Sequence, residues 1–133
     1  MKYLLDTNIC IYALKNRPPE VLQRFEAVGR TAVAVSVITV LELRHGAEKS
    51  QQRQASLSRL EFFLSPMNIL PFEEVDAEIG GRIRAHLDRL GRPIGDLDSL
   101  IAAQALSRDM ILVTNNLREF ERVPDLRTEN WVA

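Results

Sequence analysis

Short apolar runs alternate along the chain with longer segments in which apolar residues recur every three or four positions. The runs predict four buried strands at residues 2–5, 31–35, 68–71 and 110–113, and an edge strand at 126–129. The helical spacing predicts helices at residues 7–14, 20–28, 37–47, 51–64, 75–90, 97–107 and 117–120. Because strands and helices alternate, the pattern is typical of an α/β fold. Its central, mostly parallel sheet of about four or five strands would carry helices on both faces.

Residues that commonly begin or end helices mark several of these boundaries. Thr7 or Asn8 is expected to cap the first helix, Ser36 the helix at 37–47, and Asp96 the helix at 97–107. Gly29 and Gly91 are expected to end the helices that precede them.

The composition narrows the class of protein. A chain of 133 residues with 46% hydrophobic and 26% charged residues suits one globular domain. No apolar run approaches the roughly 20 residues of a membrane span, and the first acid comes too early for a signal peptide. The single cysteine, Cys10, excludes an intramolecular disulfide and is expected to be a small buried hydrophobe. Together these features predict a cytoplasmic, reduced environment, whereas a net charge of −1 neither supports nor excludes a nucleic-acid partner.

Acidic residues stand beside the apolar runs, where an uncompensated negative charge is costly. Asp6 closes the first strand, Glu42 lies inside an apolar helix segment, and Asp96 and Asp98 open another. Sites in parallel α/β folds lie beyond the carboxyl ends of the strands, so one pocket is expected to hold these acids with Asn116. Carboxylate oxygens gathered in this way suit Mg²⁺ or Mn²⁺. The sequence therefore predicts a metal-dependent enzyme.

Four local strings carry these residues in a fixed order. They are LLDTN at 4–8, SVITVLEL at 36–43 with GA at 46–47, GDLDSLIAA at 95–103, and VTNNLREF at 113–120. Each string alone is weakly specific, but together they span nearly the whole chain and closely resemble the PIN-domain ribonucleases, specifically the VapC toxins of bacterial toxin–antitoxin pairs. The resemblance implies a PIN-like, Rossmann-like three-layer fold in a single domain over residues 1–133.

The resemblance also implies a role for each acid. Asp6 and Asp98 match metal ligands, Glu42 matches an acid that positions metal or water, and Asn116 completes the catalytic set. Mg²⁺, for which Mn²⁺ can substitute, would polarise the scissile phosphate and activate a water for in-line hydrolysis of RNA. The alternatives from the residues alone are a helix cap for Asp6 and an ordinary surface position for Glu42. Asp96 is read first as a cap that supports the site through water.

The remaining polar residues of these strings are weaker candidates. Asn116 stands where many PIN domains carry a fourth aspartate, and a neutral amide compensates no charge, so one metal ion is a safer expectation than two. Thr114 is expected to bond a metal-bound water or a substrate phosphate, or to be only a β-branched strand end. Arg44, Lys49 and Arg118 are candidate RNA contacts, which would make binding salt-dependent. A solvated helix face is the better expectation for Arg82 and Arg84.

The resemblance further implies partners. These are a homodimer, a VapB-like antitoxin whose tail enters the active-site groove, and an RNA substrate, expected to be a tRNA anticodon stem-loop. One apolar stretch is too wide for a single helix face, so part of it is expected in the core and part at a dimer or antitoxin surface. It comprises Leu57, Leu60, Phe62, Phe63 and Leu64.

Other functions remain open from the residues alone. A DNA-directed or flap-type nuclease would use the same acids. A response-regulator-like binding module is disfavoured because Asp6 stands alone and no Lys follows Lys49. A di-iron site would need a second copy of the Glu-x-x-His string at Glu42 and His45, which the sequence lacks. Intact Asp6, Glu42 and Asp98 argue against an inactive PIN scaffold.

Overall fold

The computed structural model describes residues 1–132, which fold into five strands and seven α-helices. The strands are β1 (Tyr3–Leu5), β2 (Val33–Ser36), β3 (Asn68–Leu70), β4 (Ile111–Val113) and β5 (Thr128–Glu129). The helices are α1 (Thr7–Lys15), α2 (Pro19–Val28), α3 (Val37–Glu48), α4 (Arg53–Leu64), α5 (Glu74–Arg89), α6 (Asp96–Ser107) and α7 (Leu117–Phe120).

All five strands pair in parallel, in the spatial order β3-β2-β1-β4-β5. The chain builds the sheet outward from β1 to β3 and then returns to the other side of β1, so the order reverses between β1 and β4. Leu5 lies level with Val35 of β2 and with Val113 of β4. The carboxyl ends of these three strands therefore meet at one place, which is the usual position for a site in this kind of sheet. The predicted α/β fold with a parallel sheet is confirmed.

Two hydrophobic cores lie on opposite faces of the sheet. Side chains of successive strand residues point to opposite faces, so Leu5 packs with α1, α2 and α4 while Leu4 packs with α5 and α6. Both leucines are fully buried, as expected for a central strand covered on both sides. Cys10 lies in the first of these cores and is buried, so its prediction as a small hydrophobe is confirmed.

Three local predictions are corrected. Asp6 itself caps α1, in place of Thr7 or Asn8, because the helix starts directly after β1 and leaves the strand's last polar residue as its cap. Gly95 holds the N-cap position of α6, and Asp96 already belongs to the first turn, so Asp96 is not the cap. Residues 31 and 32 form part of a 3-10 turn that leads into β2. Ser36 caps α3 as predicted, accepting a hydrogen bond from the Ile38 N–H.

None of the helices in residues 1–132 is both long enough and apolar enough to cross a lipid bilayer.

Candidate active site

Asp6 is fixed in place at the end of the central strand. Its N–H donates to the carbonyl of Val113, and its Oδ1 accepts from the N–H of Ile9 at 2.9 Å, so it continues β1 and caps α1 at once. The carboxylate is 5% exposed. Burial and the nearby charge of Glu42 raise the pKa of Asp6 above its ordinary value of 3.8, although hydrogen bonds from Thr114 and Ile9 act in the opposite direction. The cap and the site candidate are thus the same residue.

Glu42 reaches the same edge of the sheet from the second turn of α3. Its Oε1 accepts a hydrogen bond from the hydroxyl of Thr7 at 2.6 Å, and that hydroxyl also lies 3.2 Å from the Thr39 hydroxyl. Thr7 follows Asp6 directly, so this bond ties α3 to the start of α1. Glu42 is half-buried between the two helices, which is not the ordinary surface position that its helix alone suggests.

Asp98 enters from the first turn of α6, where it is half-buried. Burial raises the pKa of Asp98 to about 7, together with a hydrogen bond to Glu119 and the charges of Glu119, Asp6 and Glu42. A carboxyl group whose pKa responds to three other acids must lie close to all of them. The structure therefore brings Asp6, Glu42 and Asp98 together and adds Glu119 to the group.

Glu119 is the acid that the sequence analysis missed. It projects from α7, and its two oxygens accept from the N–H of Gly95 at 2.8 Å and from the Nδ2 of Asn116 at 2.5 Å. Asn116 and Glu119 occupy the N-cap and third positions of α7, the spacing of a capping box, and this spacing was the available signal. Asn116 lies beside the site, but its amide nitrogen is engaged in holding Glu119.

Asp6, Glu42, Asp98 and Glu119 together form the acidic cluster. Among residues 1–132, no Lys, Arg or His forms an ion pair with any of them. Hard oxygen donors without a protein cation suit a divalent metal ion, so the chemistry of this donor set fits one. No three acidic, His or Cys side chains in that described range are already spaced as metal ligands. The acids are gathered, and a bound metal would require Asp98 and Glu119 to exchange their mutual hydrogen bond for it.

The supporting candidates differ in their distance from the cluster. Thr114 is fully buried and bonds Asp6, while its Oγ1 accepts from the N–H of Asn116 at 2.9 Å. The Asp96 side chain is 92% exposed and lies 3.8 Å from Arg84. Arg84 is exposed, as expected of a solvated helix face, but its guanidinium also bonds the start of α6.

The three basic candidates lie on the surface. Arg44 pairs with Glu61 of α4 at 2.6 Å, which uses its charge in a contact between helices. Lys49 and Arg118 are exposed, at the end of α3 and on α7. No ion pair or hydrogen bond among the described residues joins any of the three to the acidic cluster.

A groove of about 350 Å³ runs beside Glu42 between α1, α3 and α4. Its walls are apolar, with Lys15 and Arg59 among its lining residues. Leu60 and Leu64 of the wide apolar stretch are buried in the core, and Phe62 is 81% exposed. The core part of that prediction is confirmed.

Comparison with known proteins places the chain in a family. The family model for the PIN domain matches residues 3–126. The chain is 51% identical over 133 residues to Ribonuclease VapC2 of Haemophilus influenzae, with 99% of each chain covered. It is 47% identical over 131 residues to the tRNA(fMet)-specific endonuclease VapC of Shigella flexneri, with 98% of each covered. The chain belongs to the VapC group of the PIN-domain family. This membership sets aside the response-regulator-like module.

Solved VapC complexes share this PIN fold. A DNA-bound VapBC structure from Salmonella typhimurium contains a chain with a TM-score of 0.93 and 44% identity, covering 98% of both chains. VapBC2 from Rickettsia felis, bound to a promoter DNA fragment, gives a TM-score of 0.91 at 38% identity, covering 98% and 99%. PIN-domain nucleases of this group are metal-dependent, which agrees with the donor chemistry of the acidic cluster.

Proposed function

We propose that this PIN-domain chain is a metal-dependent endoribonuclease and the toxin of a toxin–antitoxin pair, with tRNA as its substrate. The observation that carries the proposal is the acidic cluster itself, in which four carboxylates from distant parts of the sequence converge without a protein cation. Its relatives, Ribonuclease VapC2 and the tRNA(fMet)-specific endonuclease VapC, support the reaction and the substrate class. The whole of residues 1–133 would act as a single PIN domain in the cytoplasm.

The proposed roles follow from how each side chain is held. Asp6 and Asp98 would hold Mg²⁺, for which Mn²⁺ can substitute. When bound, Mg²⁺ supplies Lewis-acid polarisation of the phosphate and a water of lowered pKa. Glu42, held by the Thr7 hydroxyl, would orient the attacking water, and Glu119 would hold the start of α6 through the Gly95 N–H. Asn116 and Thr114 would act by orienting Glu119 and Asp6, and Arg44, Lys49 and Arg118 would meet RNA phosphates farther away.

We infer that the antitoxin is a VapB-like protein that lies in the groove beside Glu42. The groove has apolar walls and is lined by Glu42 of the acidic cluster, so a helix could fill it while a basic side chain reaches that acid. The similar chains from Salmonella typhimurium and Rickettsia felis were solved in VapBC assemblies, which supports this class of partner. Exposed Phe62 suits a protein contact, either with the antitoxin or within a homodimer.

The test is cleavage of tRNA by the purified chain. The chain is incubated with tRNA(fMet) and with total cellular RNA, in Mg²⁺ or in EDTA, and new 5′ ends are mapped. We expect defined cuts that require the metal and that are lost in Asp98→Asn. Cuts that persist in EDTA or in that variant would contradict the proposal.

A second set of substrates separates the nuclease classes. Single-stranded DNA and a flap-shaped DNA of the same sequence are added under the same conditions. The RNA proposal predicts that tRNA is cut much faster than either DNA. Preferential cutting of the flap would instead support the DNA-directed alternative, which uses the same four acids.

A further inference from the structure

The first turn of α6, which carries Asp98, is held without a capping side chain. Its N-cap residue is Gly95, which has no side chain to bond the free N–H groups of the helix start. An uncapped start would leave the backbone around Asp98 free to fray. Contacts from another helix hold this turn instead, by bonding its oxygen atoms and not its free N–H groups, so the direction in which Asp98 points depends on residues outside its own helix.

Arg84 of α5 makes two of these contacts with a single guanidinium. Its Nε donates to the Ser99 hydroxyl at 2.8 Å, and its Nη2 donates to the carbonyl of Asp96 at 2.9 Å. The Ser99 hydroxyl in turn donates to the same Asp96 carbonyl at 2.7 Å. The three groups form a closed triangle, and its two members on α6 stand on either side of Asp98 in the sequence.

The Arg84 side chain is 46% exposed, but the backbone that carries it and its Ser99 partner are both anchored in buried structure. Its neighbour in the sequence, Ile83, is buried in the core shared by α5 and α6, as is Leu87 one turn further on. Ser99 is 1% exposed, so water does not compete freely for its hydroxyl. A planar guanidinium presents parallel donors at fixed spacing, which an ammonium group on a flexible stem does not. Arg84 lies 3.8 Å from the Asp96 carboxylate and makes no ion pair with Asp98, so its contacts reach Asp98 through the neighbouring residues Asp96 and Ser99.

We propose that Arg84 is a positioning residue that fixes Asp98 by clamping the Asp96 carbonyl and the Ser99 hydroxyl. The proposal rests on the proposed function, in which Asp98 holds the metal ion. Groups that orient metal ligands without touching the metal typically change metal affinity or activity by about 10–100-fold when they are removed. A helix turn that shifts slightly would weaken metal binding and the chemical step while leaving RNA binding elsewhere unaffected.

The test compares Arg84→Met with Arg82→Met. Methionine keeps an unbranched apolar stem but removes every N–H donor. Arg82 lies on the same helix, is exposed, and forms no hydrogen bond or ion pair among the described residues, so its variant controls for loss of positive charge. Mn²⁺ affinity is measured by calorimetry in the absence of RNA, and kcat and KM are measured with tRNA.

Arg84→Met is expected to weaken Mn²⁺ binding and to lower kcat, each by about tenfold or more. KM for tRNA should stay within about twofold of the wild-type value, because the interaction acts on the chemical step. Arg82→Met should match the wild type in both measurements. A rise in KM with unchanged kcat and metal affinity would mean that Arg84 binds RNA directly, which would overturn the proposal, as would equality of the two variants.

Two further measurements keep the result interpretable. If Arg84→Met does not unfold cooperatively, Arg84→Lys takes its place and is expected to show a smaller loss in the same direction, since lysine can reach only one acceptor at a time. Ser99→Ala should reduce Mn²⁺ affinity less in the Arg84→Met variant than in the wild type, because Arg84 and Ser99 share one contact. Equal reductions in the two proteins would overturn the proposal that Arg84 clamps Ser99. Wild-type protein that binds Mn²⁺ more tightly than Arg84→Met but cuts no RNA would reject the proposed function and leave the clamp intact.

Discussion

Glu119 illustrates how a single side chain can belong to a site that its own short helix does not suggest. Its carboxylate is held on one oxygen by the Gly95 N–H and on the other by Asn116. It also hydrogen-bonds Asp98 and contributes to raising the pKa of Asp98 to about 7. Glu119 therefore links the start of α6 to the loop after β4, and the neutral Asn116 acts on the site through it.

Replacing Glu119 with glutamine should reduce RNA cleavage by about 10–100-fold and raise the Mg²⁺ concentration needed for half-maximal rate. The variant keeps the shape of the side chain but removes one negative charge from the acidic cluster. Glu121→Gln is the matched control, because Glu121 lies two residues on and is exposed. Metal-dependent cleavage rates are compared, and equal rates in the two variants would remove Glu119 from the site.

At the scale of elements, α5 and α6 are joined at their far ends by a buried carboxylate. Asp76 is fully buried in the first turn of α5 and accepts from the Glu73 N–H at 2.8 Å, completing a capping box. It also accepts from Arg108 at 2.6 Å and from the Ser107 hydroxyl, both at the end of α6. Arg84 holds the other end of the same helix pair, so α6 is fixed at both ends.

Asp76→Ala should lower the free energy of unfolding by about 2–3 kcal/mol, because Arg108 and the first turn of α5 lose their shared partner. Asp88→Ala, at an exposed position on the same helix, should change it by no more than about 0.5 kcal/mol. Urea unfolding at neutral pH measures both. Similar values for the two variants would show that the Asp76 contacts contribute little.

The same carboxylate predicts a dependence of stability on pH. Burial alone would raise the pKa of Asp76, but hydrogen bonds from Ser107, the Glu73 N–H and Arg108, together with the charge of Arg108, outweigh burial and lower it below 3.8. A carboxyl group whose pKa is lowered by folding stabilises the folded state at pH values above its unfolded-state pKa. This stabilisation is lost as the pH falls through the folded-state pKa. The stability difference between wild type and Asp76→Asn should therefore be constant between pH 7 and about 5 and shrink in stronger acid. Urea unfolding across this range measures it, and a difference that grows in acid would contradict the assignment.

At the scale of the whole molecule, the proposed metal site in the acidic cluster would couple metal binding to folding. The cluster draws its members from the ends of β1 and from α3, α6 and α7, so the site exists only in the folded chain. A ligand that binds only the folded state stabilises it, by about 2.7 kcal/mol at a concentration 100 times its dissociation constant. Mutual repulsion among four carboxylates adds to the effect, because a divalent cation relieves it.

Saturating Mg²⁺ or Mn²⁺ should therefore raise the thermal unfolding midpoint of the wild type, and EDTA should reverse the change. Asp98→Asn should raise the midpoint in EDTA, since one repelling charge is gone, and should show a much smaller response to the metal. Differential scanning calorimetry with Ca²⁺ as a further comparison distinguishes a site from general ionic strength. A response of equal size in the variant would place the metal elsewhere.

The sheet could be predicted well from the sequence because its central strands are short, continuous apolar runs. The run at 110–113 is apolar throughout, as a strand covered on both faces must be, and its burial follows directly. Asp6 was also found, because its place at the end of such a run and its match to the family string both marked it, even though it also serves as the cap of α1. Asp96 was assigned the wrong role, since cap preference is local while the start of α6 is set by Arg84 and Glu119, which are distant in sequence. Glu119 was missed for the same reason: nothing in a four-residue helix shows that its partners are Gly95 and Asp98.

The position of β1 has a consequence for the order in which the protein is made. β1 leaves the ribosome long before β4, yet one of its edges pairs with β4, which begins only at Ile111. Until then, Asp6 lacks the Val113 carbonyl, the Thr114 hydroxyl and the neighbouring Glu119. No nascent chain that stops before residue 119 carries all four acids, so a partly synthesised protein holds an unfinished site. RNA cleavage that depends on this cluster would therefore be absent while the chain is being translated. It would appear only when β4 and β5 join the sheet.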